Sequence, residues 1–193
     1  MEESKVVVVY GLVASRLTET RQVYTISKAI HDTFGDRILT DQFSHTASVA
    51  GPILWSCQFA TFVGLVSILE KKDGSASIPA LARLVRASGA EVSEEIEAEA
   101  AAICEKYRIF RNKLFSHNST QRERHREIFN EAKITWDQLD ADFDAVERIL
   151  FQIADKHHDL SIDLIPFLMR KDVSSTESMM KKLLSRIQEK LTL

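Results

Sequence analysis

The sequence predicts an all-α protein, and three observations carry that expectation. Apolar residues recur at steps of three and four in one segment after another. Only six Gly and three Pro interrupt the 193 residues. The one β-branched run, residues 6–9, has no second strand-like segment to pair with. With 45% hydrophobic and 27% charged residues the chain is composed like a helical globular protein. Its length predicts a single domain over residues 1–193.

The elements follow in chain order. Val23, Ile26, Ile30 and Phe34 share a helical face, and Gly35 behind them is suited to the positive φ of a C-cap, so a first helix is expected to end there. Residues 6–9 are read as its upstream extension. Gly51 and Pro52 break the next segment, because proline belongs in a first helical turn. A core helix is therefore expected from about residue 52 to 70. "KKDGSAS" reads as a turn. Ser77 is then an N-cap and Pro79 a first-turn residue for a short helix that stops at Ser88 and Gly89. Ser93 opens the next helix, with Glu94, Glu95 and Glu97 near its positive dipole end. Thr135 and Gln138 form a T-x-x-Q capping box ahead of a stripe of Leu139, Phe143, Val146, Leu150 and Ile153. Pro166 marks a boundary, and Met179, Leu183, Leu184 and Ile187 predict a short amphipathic helix from Ser175 onward.

Several function classes are disfavoured by what the chain carries. Cys57 and Cys104 lie in apolar surroundings without C-x-x-C spacing, which speaks against a disulfide framework or a zinc site and fits a reducing, cytoplasmic setting. The start, "MEESKVVVVYGLVASRL", has acids where an export signal would place its bases. Residues 42–69 hold no Asp, Glu, Lys or Arg, and residues 52–69 among them just reach the length of a membrane span. Ser56, Gln58, Thr61 and Ser67 are interspersed there, so a core helix and no membrane partner are expected. His157 and His158 with Asp155 and Asp159 invite a metal reading. Adjacent histidines on a helix point apart, so helix-end polar residues are expected instead.

Charge is separated along the chain beneath a net value of −3. Residues 91–99 hold five acids and no base. Residues 106–126 hold seven Lys or Arg against the single acid Glu123. Within the basic stretch, "YRIFRNKLFSHNST" sets Arg108, Arg111, Lys113 and His117 among large apolar residues. Ile103, Tyr107, Phe110, Leu114 and His117 share one stripe, and Cys104, Arg108, Arg111 and Phe115 form the next. Arg111 and His117 lie about 120° apart on an ideal helix. A histidine exchanges protons near neutrality, an arginine stabilises charge on a phosphate, and the Asn112 amide can orient either. RNA brings its own nucleophile, the 2′-hydroxyl, so these groups need no metal or cofactor. The plain reading of the same residues is a helix-end histidine near the last carbonyls and a surface arginine.

"RNKLFSH", an Arg, a polar residue and then four residues to a His at the end of a long helix, resembles the signature of the HEPN superfamily. "SILEKKDGSASIPALARLV" and "ITWDQLDADFDAVERIL" are similar to the abortive-infection (AbiU-like) branch, and the likeness spans about residues 53–153. The resemblance implies an up-and-down helical bundle with additional short helices. It also implies a homodimer whose two motifs share one cleft, and a metal-independent endoribonuclease of toxin or phage-defence type. Arg111, Asn112 and His117 would then be catalytic, leaving a 2′,3′-cyclic phosphate and a 5′-hydroxyl. Tyr107, Arg108, Lys113, Arg122, Arg124 and Arg126 are candidates for binding RNA, and a nucleotidyltransferase-like antitoxin is a candidate partner. The alternative is a non-catalytic HEPN-like module that binds RNA, a nucleotide or a protein.

Overall fold

The computed structural model describes residues 2–40, 45–115, 134–157, 160 and 165–191. Among them the chain is all-α, with helices α1 (Glu2–Thr40), α2 (His45–Leu69), α3 (Ile78–Ala87), α4 (Glu94–Phe115), α5 (Trp136–Ala154) and α6 (Ile165–Leu191), and no strand. They belong to two compact units. The first comprises Met1–Leu17 and Phe62–Ile165, the second Thr18–Thr61 and Pro166–Leu193.

In the first unit α5 packs on both α3 and α4. Phe143, Val146, Ile149, Leu150 and Ile153 of α5 are completely buried, as are Leu81 and Val85 of α3 and Tyr107 of α4. Phe62 of α2 stacks on the Tyr107 ring with centroids 5.7 Å apart. Polar ties fix the remaining pieces. Arg16 of α1 donates to the Ala76 carbonyl at 3.0 Å, and Arg86 of α3 donates to Glu97 of α4 and to the Val92 carbonyl, both at 2.9 Å. Arg148 of α5 meets Glu99 of α4 at 2.6 Å.

The second unit has a smaller core of Ile30 and Phe34 from α1, Ala50 from α2, and Met180 and Leu184 from α6. On α6, Met179, Leu183 and Ile187 face outward.

The caps of the short helices follow the sequence. Ser77 precedes α3 in an extended conformation, with Pro79 in the first turn and Gly89 at φ 92° after the last. Its hydroxyl makes no cap bond, so Ser77 contributes backbone geometry alone. Ser93 accepts from Glu95 N–H at 3.2 Å, and Thr135 from Gln138 N–H at 3.2 Å. The capping box is only half formed, because the Gln138 side chain turns to Asp142.

Three helix boundaries differ from expectation. The first helix continues through Gly35 to Thr40. Gly35 has no positive φ; the His31 ring lies against it, 3.2 Å from where a Cβ would stand. Helix α2 begins at His45 and carries Pro52 inside it, since one missing donor is tolerated when the turns on either side are helical. Helix α6 starts at Ile165, with Pro166 in its first turn, and is far longer than the predicted short helix.

By length and composition one helix among the described residues, over Ala47–Leu69, is apolar enough to cross a membrane. Its Phe62, Leu65, Val66, Ile68 and Leu69 are buried in the first unit, while Val49, Ile53 and Phe59 are exposed.

Candidate active site on helix α4

Helix α4 is positioned from its buried side by a carboxylate that the sequence did not single out. Asp142 of α5, its side chain 10% exposed, lies 2.5 Å from Lys106 Nζ. It also accepts from the Tyr107 hydroxyl at 2.5 Å and from Gln138 Nε2 at 3.0 Å. A buried carboxylate is tolerated when its lone pairs are met in this way. Tyr107 thus stands in the core, stacked and hydrogen-bonded, and not on a surface open to RNA. Its contribution is to set the rotation of α4, which turns the Arg108 and Arg111 stripe outward.

Arg111 keeps a partly exposed side chain (31%). Its Nε donates to Asn112 Oδ1 at 3.3 Å, and a terminal nitrogen lies 3.8 Å from a carboxylate oxygen of Glu70, which follows α2. Asn112 is exposed. Arg108, one turn earlier, is clamped by Glu105 through two bonds of 2.8 and 3.0 Å. That pairing holds the Glu105 carboxyl below its ordinary value and raises the Arg108 guanidinium. The pairing occupies Nε and one terminal nitrogen, so Arg108 can meet a phosphate through its other terminal nitrogen.

The Cys104 thiol sits on the same stripe. Burial pushes it up, the Glu70 carboxylate adds to the effect, and Arg108 and Arg111 partly oppose it. Burial likewise raises the Cys57 thiol. Both remain protonated thiols near neutrality, unsuited to nucleophilic work.

Lys113 lies within α4, but its side chain falls outside the described residues, as do His117, Arg122, Arg124 and Arg126. So do His158 and Asp159; His157 is buried just beyond α5. No cluster of three or more His, Cys, Asp or Glu suited to a metal occurs among the described residues. The structure therefore joins Arg111 with Asn112, adds Glu70 to them, and sets Tyr107 apart in the core. Glu70 and Arg111 are distant in sequence, and no local spacing announces their meeting. Asp142 left a trace in its i, i+4 relation to Gln138.

The family model for AbiU2, of HEPN type, matches residues 16–174. The chain belongs to the AbiU2 family of HEPN proteins. The match extends well beyond residues 53–153, taking in most of α1 and the first part of α6. No curated protein and no solved structure matches the chain. Membership joins the protein to abortive-infection HEPN proteins, and the all-α architecture agrees with it.

Proposed function

We propose that this AbiU2-family protein is a metal-independent endoribonuclease acting in toxin or phage-defence fashion. Arg111 holds a non-bridging oxygen of the scissile phosphodiester and stabilises the charge that gathers there. Asn112 orients the guanidinium through the bond to its Nε. His117 transfers a proton while the 2′-hydroxyl of the RNA attacks the phosphorus. The observation that carries this reading is a partly exposed Arg111, oriented by Asn112 on a helix locked from behind by Asp142, in a chain of HEPN family.

Two copies of the chain would supply one cleft. This reconciles the wide angle between Arg111 and His117 on a single helix with their joint action on one phosphate. Arg108, Lys113, Arg122, Arg124 and Arg126 would follow the RNA backbone, giving affinity that falls with salt.

Incubating the purified protein with RNA in a chelator tests the proposal. Cleavage that His117→Ala and Arg111→Ala each abolish is expected. RNA left intact by the wild type, or cut equally well by His117→Ala, rejects it. Binding without cleavage, retained by His117→Ala and weakened by neutralising Arg122, Arg124 and Arg126, would show a non-catalytic RNA-binding module instead.

A further inference from the structure

Glu70 stands immediately after α2, and its N–H bonds to the Val66 carbonyl at 2.7 Å, continuing the last helical turn. One carboxylate oxygen comes to 3.8 Å from the Arg111 terminal nitrogen, beyond hydrogen-bond reach. The side chain is 36% exposed, and no hydrogen bond to its carboxylate occurs among the described residues. Arg108 and Glu105 on the same helix close to two bonds, whereas Glu70 and Arg111 pair through one looser contact with both side chains about one-third exposed. Beside Glu70 a cavity of about 490 Å³ opens, with Leu69, Ala100 and Cys104 in its lining, Lys71, Arg83, Arg86 and Arg108 contributing cations, and Glu97 and Glu105 contributing acids. That volume suits a small ligand.

We propose that Glu70 is the general base of the reaction. This inference rests on the ribonuclease reading above. Arg111 takes a non-bridging oxygen at about 2.8 Å, and Glu70 takes the 2′-oxygen at about 2.7 Å. Both oxygens bind the same phosphorus in the transition state, so a guanidinium and a carboxylate a few ångströms apart can address them together. The proton of the 2′-hydroxyl passes to the Glu70 carboxylate as the 2′-oxygen to phosphorus bond forms. The bond from phosphorus to the 5′-oxygen breaks, and its electron pair leaves with that oxygen. The 5′-oxygen receives the proton of the His117 imidazolium. Glu70 ends protonated and His117 neutral, and exchange with water restores both. The 490 Å³ cavity, which Glu70 lines and Arg111 does not, offers room for a nucleotide on the far side of the carboxylate from the guanidinium's contact.

The groups around Glu70 and its cavity are Glu97, Cys104, Glu105, Arg108 and Arg111 on α4, Lys71 next in the chain, and Arg83 and Arg86 on α3. A pH profile reports on this whole set, so an isosteric change must isolate Glu70. With the full chain, an RNA oligonucleotide and chelator present, Glu70→Gln is expected to lower kcat about 100-fold or more and to remove the low-pH limb of the rate profile. Its Kd for the same oligonucleotide carrying a 2′-deoxy residue at the cleaved position should stay within about threefold of wild type. Glu70→Asp, which keeps the acid but shortens its reach, should retain the limb at a reduced kcat, and supplies the reading should the Gln variant fold poorly. A Gln variant with kcat within about threefold of wild type, or one whose loss lies in Kd alone, overturns the inference and leaves Glu70 a counter-ion of Arg111. In that outcome the ribonuclease reading stands. A wild-type protein inert toward RNA removes both.

Discussion

Tyr107 and Tyr10 show how differently two buried hydroxyls serve the fold. Tyr107 donates to Asp142, so Tyr107→Phe should cost about 2 kcal/mol in denaturant unfolding, the scale for a hydrogen bond to a charged acceptor. Tyr10 is 1% exposed and its hydroxyl has no hydrogen-bond partner among the described residues. Tyr10→Phe should be neutral or slightly stabilising. Burial pushes the Tyr10 hydroxyl up to about 12. The folded state thus keeps its proton where the unfolded chain, near the ordinary value of 10, has lost it. The resulting stability is fully present below the unfolded value and is lost as pH rises through the folded one. Unfolding followed from pH 9 to 12 should show this alkaline loss in wild type and a smaller one in Tyr10→Phe. At this scale the sequence exposed Arg111 and Asn112, because their spacing on one helix is local. It exposed neither Glu70 nor Asp142, because each reaches α4 from another helix or turn.

Glycine illustrates at the level of elements why helix existence was easier to read than helix extent. Both Gly35 and Gly89 follow an apolar stripe, yet Gly89 ends α3 at φ 92° while Gly35 lies within α1. Gly89→Ala should destabilise by about 1 kcal/mol, since it forces a side chain into a left-handed conformation. Gly35→Ala meets the His31 ring at 3.2 Å. That side chain is 39% exposed and has room to shift, so helix propensity should win and raise stability by about 0.5 kcal/mol. Thermal unfolding of the two variants, side by side, checks the opposite signs. The upstream reach of α1 agrees with the reading of residues 6–9 as its extension: its buried positions Val6, Tyr10, Val13, Leu17, Thr20, Tyr24 and Ser27 repeat at steps of four and three, although Thr20 and Ser27 among them are polar. Pro52 misled as Gly35 did, as a local rule that the surrounding helix overrides.

On the scale of the whole molecule, α1 and α2 each run through both compact units. Unfolding one unit would fray helices that the other requires. A single cooperative transition, coincident by circular dichroism and by Trp fluorescence, is therefore expected. The all-α class was legible because it depends only on composition and periodicity. The arrangement into two units was not, because it depends on which faces of long helices meet. Function at this scale rests on RNA acting as its own nucleophile while Arg111 and His117 serve one phosphodiester. The most direct measurement compares an RNA oligonucleotide with the same strand carrying 2′-deoxy at the cleaved position, in chelator, with the product ends read by mass spectrometry. The RNA should be cut to a 2′,3′-cyclic phosphate and a 5′-hydroxyl, and the deoxy strand should survive. Cutting of the deoxy strand, or cleavage that appears only when a divalent metal is supplied, would contradict the account.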